Sequence, residues 1–244
     1  MKRIGLIGFG RFGKLLYKHL GDKLAFQIYD SQYNENKSKS DYPLTNLREV
    51  CKNSIIILAV PVFRIEQICR EISSLIQPCT LIIDVCAVKK YPCDIMRKRL
   101  PKESEILGSH PLFGPDSAPE TLKGHKVVLC PVRIKPERLD KIRQFLEDCQ
   151  LQTVEMTPEE HDRLMASSLA LTHFLGRGLS KLNLPDHRIT TMDYQNLLHL
   201  MKKVNRDTRE LFEDMHRLNP YTGEIREQLI QALVNLDQEL KQKP

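Results

Sequence analysis

The sequence contains no tryptophan, and aromatic residues make up only 6% of its 244 positions. Its longest apolar run, SIIILAVPVF at residues 54–63, is about half as long as a membrane-spanning helix and is interrupted by a proline. Lysines and arginines exceed acidic residues by six, but they are scattered and interleaved with glutamates. We therefore expect neither a membrane span nor a nucleic-acid interface, and the mild positive charge suits a small anionic ligand.

The seven cysteines form no CxxC pair and no Cys/His cluster with the spacing of zinc ligands, so no metal site is predicted. An odd number of cysteines is typical of reduced thiols. The first ten residues, MKRIGLIGFG, carry basic side chains, but glycines interrupt the apolar stretch, which indicates a strand rather than a secretion signal. We therefore expect a cytoplasmic protein.

Short β-rich segments alternate with amphipathic helical patterns over the first 155 residues. The predicted strands are residues 3–8, 25–29, 54–60, 80–85, 104–109, 126–130 and 151–155. The predicted helices are residues 12–20, 62–76 and 136–149. This alternation is typical of βαβ units and predicts an α/β fold with a doubly wound, mostly parallel sheet.

After residue 156 the pattern is helical alone, with Thr157 as the predicted N-cap and Pro158 at the first helical position. Apolar residues then repeat at heptad-like spacing over 197–218 and 225–240. A helical segment of about 85 residues is too small to bury both of these apolar stripes within itself. We predict a dinucleotide-binding sheet domain over 1–156 and a smaller all-helical substrate and dimerisation domain over 157–244, which makes the protein a homodimer.

The motif GFGRFG directly follows the first predicted strand and opens the first predicted helix, as in the phosphate-binding turn of Rossmann-type domains. Gly8 permits the tight turn, Gly10 lets the backbone approach a pyrophosphate, and Gly13 allows close helix–strand packing. The alternative is a glycine-rich turn without a ligand. The predicted phosphate-binding residues are Gly8, Phe9, Gly10, Arg11, Phe12 and Gly13.

Asp30 ends the second strand, twenty residues after Gly10, where a carboxylate can accept hydrogen bonds from the adenosine ribose hydroxyls. Because this carboxylate repels a 2′-phosphate and is followed by Ser31 rather than an arginine, we predict NAD as the cofactor. Lys37 and Lys39 in the next loop weaken this preference, so NADP stays the alternative.

The segment LAVP at residues 58–61 ends an apolar strand at the predicted carboxyl edge of the sheet, where open α/β folds bind ligands. We predict that Ala59, Val60 and Pro61 line the path of the nicotinamide ribose. The alternative is an ordinary turn from strand to helix.

The stretch GSHPLFGP at residues 108–115 places one imidazole, that of His110, on stiff backbone. Pro111 and Pro115 disfavour both a helix and a regular ladder, so we expect a loop. Loops on rigid scaffolds frequently carry catalytic residues. The alternative is a turn histidine that hydrogen-bonds locally.

Four residues share one face of the helix that follows residue 158, namely Ala166, Ala170, His173 and Arg177, while leucines occupy the opposite face. Two alanines beside a histidine and an arginine leave room for an anionic ligand. The alternative is a helix–helix contact in which the small residues permit close packing.

The segments GFGRFG, DVCAVK, SHPLFGP and EEHDRLMASSLALTHFLGR together resemble the prephenate/arogenate dehydrogenase family, and most closely its plant-type arogenate dehydrogenases. The resemblance covers nearly the whole chain. It implies a Rossmann domain followed by a helical dimerisation domain. The reaction it implies is NAD(P)-dependent oxidative decarboxylation of prephenate or arogenate in tyrosine biosynthesis, with hydride transfer to the nicotinamide.

The same resemblance implies that His110 is the general base, since it matches the catalytic histidine of the family, and that His173 is the substrate-side histidine. His161, in EEHD, is predicted to be a structural residue of the first helical turn. The other predicted substrate-binding residues are Ser109, Lys89, Thr172 and Arg177.

The sequence departs from the family at two points. Ala87 stands where the family usually has a serine that hydrogen-bonds the histidine or the substrate hydroxyl, and Ser109 or a water could replace that hydroxyl. No arginine matches the one that holds a substrate carboxylate in many bacterial members. Two alternatives therefore stay open: a Rossmann dehydrogenase acting on a β-hydroxy acid, and a dinucleotide-binding dimer with impaired catalysis.

Overall fold

The computed structural model describes residues 2–32 and 41–242, so Lys37 and Lys39 lie outside the described residues. The chain divides into two compact units, residues 1–161 and residues 162–244. The division falls after His161, inside a helix, whereas the sequence pattern places the boundary near residue 156. The helix begins at the predicted place, because Thr157 and Glu160 exchange hydrogen bonds as a capping box.

All seven predicted strands are present in the first unit. They are β1 (Lys2–Ile7), β2 (Leu24–Tyr29), β3 (Ile55–Leu58), β4 (Leu81–Asp84), β5 (Glu105–Pro111), β6 (Lys126–Arg133) and β7 (Gln152–Glu155). The helices of this unit are α1 (Arg11–Leu20), α2 (Leu47–Val50), α3 (Ile65–Ile72, after a 3-10 turn at Val62–Arg64), α4 (Lys90–Arg99) and α5 (Pro136–Asp148).

The helix α6 (Pro158–Met165) crosses the boundary between the units and leads into a π-helical turn, Ala166–Ala170. The second unit continues with α7 (Leu171–Ser180), α8 (Met192–Val204), α9 (Arg209–Arg217) and α10 (Thr222–Gln242). It is helical over the residues that the structure describes, as the sequence predicts. None of the helices within 2–32 and 41–242 has the length and hydropathy to span a membrane.

The seven strands form one sheet in the order β2-β1-β3-β4-β5-β6-β7. Every neighbouring pair is parallel except β5 and β6, which confirms the predicted doubly wound, mostly parallel sheet. β2 pairs with one side of β1, and β3 pairs with the other side, so the order of the strands reverses direction at β1. A crevice opens at such a switch point, at the carboxyl ends of the strands, and it is where this class of sheet binds ligands.

The predicted loop at GSHPLFGP is wrong in its first half, because β5 continues through His110 to Pro111 and pairs with β6. The last residue of β4, Asp84, pairs with Gly108, so the end of β5 extends beyond the end of β4. Pro111 has no backbone N–H and so removes one hydrogen-bond donor from the sheet. This loss is tolerated at the end of a strand that has no neighbouring strand on one side.

The sequence pattern predicts no helix at α4, whose second turn follows a proline. Pro92 lies in the first turn of that helix, where a backbone N–H has no intrahelical partner, so the proline costs no helical hydrogen bond.

We expect Gly13→Ala to lower the free energy of unfolding by about 1–3 kcal/mol, the usual cost of overpacking. An added Cβ at Gly13 would lie 2.4 Å from the carbonyl oxygen of Gly8. The matched control is Gly178→Ala in α7, where an added Cβ meets nothing within 4 Å. That change should raise the same free energy by about 0.5–1 kcal/mol. Chemical denaturation measures both, and a stabilising Gly13→Ala would contradict the packing described.

Candidate active site

The glycine motif brings β1, β3 and α1 into close contact at the switch point. Gly8 has a φ of +98°, which favours glycine, and an added Cβ would lie 2.3 Å from the carbonyl oxygen of Ala59. Around Gly10, by contrast, an added Cβ would meet nothing within 4 Å. The backbone of Gly10 is therefore open to a ligand, while Gly8 and Gly13 hold the surrounding elements together.

Helix α1 begins at this open backbone with Gly10 as its N-cap. Within the described residues no side chain caps this end, and its first turn carries no acidic residue. The first N–H groups of a helix and its positive dipole end attract phosphate groups. The N-terminus of α1 thus fits a pyrophosphate, as the motif predicts.

Asp30, directly after β2, organises the turn. Its carboxylate accepts hydrogen bonds from the backbone N–H groups of Phe9, at 2.6 Å, and Gln32, at 2.8 Å. Each carboxylate oxygen has further acceptor capacity, so Asp30 can also accept from ribose hydroxyls. The Phe9 ring is buried and packs edge-on against Tyr42, so this side chain belongs to the core.

The side chains of Arg11 and Phe12 contact the segment that follows β5. Arg11 forms an ion pair of 2.7 Å with Asp116, and the Phe12 ring lies 6.3 Å from that of Phe113. Across the crevice, Ala59, Val60 and Pro61 directly follow β3, at the sheet edge that also carries Gly8. A role of these residues in cofactor binding stays a prediction.

His110 lies near the carboxyl end of β5 and is 6% exposed. Its Nδ1 atom is 2.8 Å from Nε2 of His161, which is fully buried. Burial, together with the nearby His161 and Lys89, holds the pKa of His110 well below its usual value. The imidazole is therefore neutral near pH 7 and can accept a proton.

A buried ion pair supports the backbone beside His110. The amine of Lys89, fully buried, pairs with Asp84 and donates to the carbonyl oxygen of Ser109 at 2.6 Å. Burial is the largest single influence and lowers the pKa of Lys89, but Asp84 together with Cys86 and Cys93 raises that pKa overall, so the amine stays charged. Lys89 is a predicted substrate ligand, but in the structure its amine binds Asp84 and the backbone of Ser109.

Ser109 is likewise engaged with the scaffold. Its hydroxyl donates to the carbonyl oxygen of Asp84 at 2.7 Å, and the side chain is buried. Because consecutive side chains of a strand point to opposite faces, the Ser109 hydroxyl and the His110 ring lie on opposite sides of the sheet. The hydroxyl of Ser109 is therefore poorly placed to replace the serine hydroxyl that is missing at position 87.

In the second unit, His173 is buried and its Nε2 atom lies 3.6 Å from a carboxylate oxygen of Asp207. Burial lowers the pKa of His173, and Asp207 opposes this effect. Thr172, the preceding residue, is exposed. A substrate role for either residue stays a prediction.

Arg177 contacts the end of α8. Its Nη2 atom donates to the carbonyl oxygens of Val204, at 3.2 Å, and Asp207, at 2.6 Å, and its guanidinium lies over the Phe212 ring. These bonds satisfy carbonyl groups at a helix C-terminus. Binding of an anion by Arg177 stays a prediction.

Of the four residues of the predicted face, two lie in the π-helical turn and two in α7, and the small ones are packed. Ala166 and Ala170 are almost completely buried, and their π-helical turn packs against α9 and α10. For the two alanines, the structure matches the helix-packing alternative.

Local sequence patterns do not predict the place of two residues of the site, His161 and Asp84. The sequence predicts a structural role for His161, because its position in a first helical turn does not reveal its contact with His110. Asp84 was not singled out, although a carboxylate that ends an apolar strand at the ligand-binding edge is a signal that could have found it.

Comparison with known proteins gives the family. The model for "Prephenate dehydrogenase, nucleotide-binding domain" matches residues 20–155, and "TYRAAT1-like, C-terminal domain" matches residues 178–244. Arogenate dehydrogenases 2 and 1, both chloroplastic, from Arabidopsis thaliana are 31% and 30% identical over 98% of this chain. The chain spans 70% of the length of the former and 39% of the latter.

A solved prephenate dehydrogenase from A. aeolicus, in complex with hydroxyphenyl propionate and NAD+, shares the fold. Its TM-score is 0.75 at 17% identity, over 98% of this chain and 91% of the solved chain. The family match covers more than half of the sequence, and the plant relative is similar across almost all of it. This chain therefore belongs to the prephenate and arogenate dehydrogenase family of oxidoreductases.

Proposed function

We propose that this chain catalyses the NAD(P)-dependent oxidative decarboxylation of prephenate or arogenate, with His110 as the general base. The observation that carries the proposal is the imidazole of His110, which is buried and held neutral at the carboxyl edge of the sheet. Because β1, β3, β4 and β5 are parallel, their carboxyl ends lie along one edge. His110 and the dinucleotide turn therefore belong to the same edge.

The dinucleotide would lie across this edge, with its pyrophosphate at the N-terminus of α1, its adenosine ribose at Asp30 and its nicotinamide ribose along 59–61. When bound, its nicotinamide supplies the hydride acceptor. NAD is the proposed cofactor, since Asp30 would repel a 2′-phosphate. The NAD+ in the A. aeolicus structure supports this choice.

His110 would take the proton from the ring hydroxyl of the substrate. As that O–H bond breaks, the carbon that bears the hydroxyl loses its hydride and a carbonyl forms. The bond between the ring and its carboxylate then breaks and CO2 leaves. The electron pair of that bond moves into the ring, which becomes aromatic. The charged Lys89 disfavours the imidazolium, which keeps His110 neutral before the reaction and also makes it a weaker base.

The anionic substrate needs partners of positive or polar character. His173 is the main candidate in the helical unit, with Thr172 and Arg177 beside it in sequence. Ser109 and Lys89 would act indirectly, through the hydrogen bonds that hold the backbone beside His110.

We further propose a homodimer formed by the C-terminal helices. Five large apolar side chains of α10 are 43–67% exposed: Ile230, Leu233, Val234, Leu236 and Leu240. A second protomer would cover these side chains, and light scattering measures the mass of the assembly.

A cytoplasmic location completes the proposal and agrees with the seven free thiols.

We expect His110→Asn to reduce kcat by about 10²–10⁴, the usual contribution of general-base catalysis, with little change in dinucleotide affinity. Nicotinamide reduction measured by absorbance gives kcat with prephenate and with arogenate, and calorimetry gives the affinity. An equal loss of dinucleotide binding would show that His110 is structural. If the unaltered chain turns over neither substrate, the impaired dinucleotide-binding dimer replaces this proposal.

The double substitution Asp30→Ser and Ser31→Arg should shift the kcat/KM ratio toward NADP by about tenfold or more. It removes a carboxylate that repels the 2′-phosphate and adds a guanidinium that binds it. Serine keeps one acceptor for the backbone N–H groups that Asp30 now holds. Ser31→Arg alone, which retains the carboxylate, is the control. An unchanged ratio in the double variant would mean that Asp30 does not face the ribose.

We expect Ala87→Ser to raise kcat by about threefold to thirtyfold, from a net hydrogen bond of roughly 0.6–2 kcal/mol made better in the transition state. Ala87 is half-buried in the segment between β4 and α4, and the nearby Ser109 hydroxyl is already bonded to Asp84. Ala87→Val adds volume without a hydroxyl and is the control. A flat kcat in a folded serine variant would show that another group, such as a water, has replaced the hydroxyl.

A further inference from the structure

The contact between His110 and His161 restricts where the protons of both rings can lie. The two nitrogen atoms are 2.8 Å apart, and the rings meet edge to face with centroids 5.0 Å apart. At this distance one nitrogen must donate and the other must accept. A neutral imidazole has one N–H, so the direction of this bond decides which nitrogen of His110 keeps a free lone pair.

Two directions are possible for neutral rings. If Nδ1–H of His110 donates, its Nε2 atom has the lone pair and can accept a proton. If Nε2–H of His161 donates, the proton of His110 must be on Nε2, and this atom can then only give a proton away. Only the first direction makes His110 a base.

Proton uptake selects the same direction. An imidazolium has two N–H groups and no lone pair, so after His110 has taken a proton its Nδ1–H must donate to His161. When His110 already donates, the pair needs no rearrangement during the reaction, and the bond becomes charge-assisted and stronger as charge develops. An interaction that strengthens in the transition state raises kcat.

We propose that His161 is a positioning residue that accepts a hydrogen bond from Nδ1–H of His110 and thereby holds Nε2 of His110 as the proton acceptor. This inference rests on the proposed role of His110 as the base. His161 is fully buried at residue position four of α6, next to the capping box, so its ring is held by the helix rather than by solvent.

The other charged groups near His110 do not provide this acceptor. Lys89 has only donor N–H groups, and its amine is bonded to Asp84 and to the carbonyl oxygen of Ser109. The hydroxyl of Ser109 donates to the backbone of Asp84. Lys89 therefore disfavours charge on His110, whereas the acceptor at Nδ1 is His161.

The tautomer can be measured directly in the unaltered chain. Heteronuclear NMR of imidazole nitrogens in nitrogen-labelled protein distinguishes a bare nitrogen from an N–H, and the signals lost in His110→Asn assign His110. We expect a protonated Nδ1 and a bare Nε2 at neutral pH. The opposite tautomer would overturn the inference without any assay of turnover.

Two substitutions at position 161 test the consequence. His161→Gln keeps an acceptor oxygen near the position of Nε2, whereas His161→Leu removes it. We expect kcat to fall about tenfold to a hundredfold in the leucine variant, with KM for the dinucleotide unchanged, and to be largely restored in the glutamine variant. His187→Gln, at an exposed histidine, is the matched control and should retain full activity.

The outcomes separate the inference from the proposed function. Equal loss of kcat in both variants, with His110 keeping a bare Nε2, would show a purely structural role for His161 and overturn the inference. Full activity in the leucine variant would overturn it as well. If the NMR shows the expected tautomer but the unaltered chain oxidises neither prephenate nor arogenate, the positioning contact stands and the proposed function fails.

Discussion

The buried ion pair between Asp84 and Lys89 is the interaction on which the arrangement of this edge depends. It joins the end of β4, the start of α4 and the backbone of Ser109, and every part of it is removed from water. Two charges persist in such a place only when each satisfies the other, and breaking a buried pair typically costs about 3–5 kcal/mol. The residue that follows Ser109 is His110, so the pair fixes the strand that carries the proposed base.

The same pair has an electrostatic effect. The amine of Lys89 stays charged because Asp84 raises its pKa, and this positive charge adds to burial in keeping His110 neutral. A base must be neutral before it accepts a proton, and it must then tolerate the charge. The positive charge of Lys89 serves the first requirement, and the proposed hydrogen bond from Nδ1 of His110 to His161 would serve the second.

The topology of the sheet explains why these groups accompany a dinucleotide turn. Gly8, Ala59, Asp84 and His110 follow or end four strands that run in the same direction. Their side chains and backbones therefore collect at one edge, although they are far apart in the sequence. In the helical unit, the corresponding effect is packing: Arg177 binds the end of α8, and Ala166 and Ala170 let α9 and α10 approach.

The sequence by itself determined the seven strands, the helical second unit and the glycine turn. These features depend on local periodicity and on the conformational range of glycine, which neighbouring residues reveal. Only the tertiary structure decided the rest. The end of β5 is a strand because His110 and Pro111 pair with β6, which is distant in the sequence, so no local pattern predicts it. The roles of Lys89 and His161 depend on partners 5 and 51 positions away, and their chemistry follows from burial and contact, which exist only after the chain has folded.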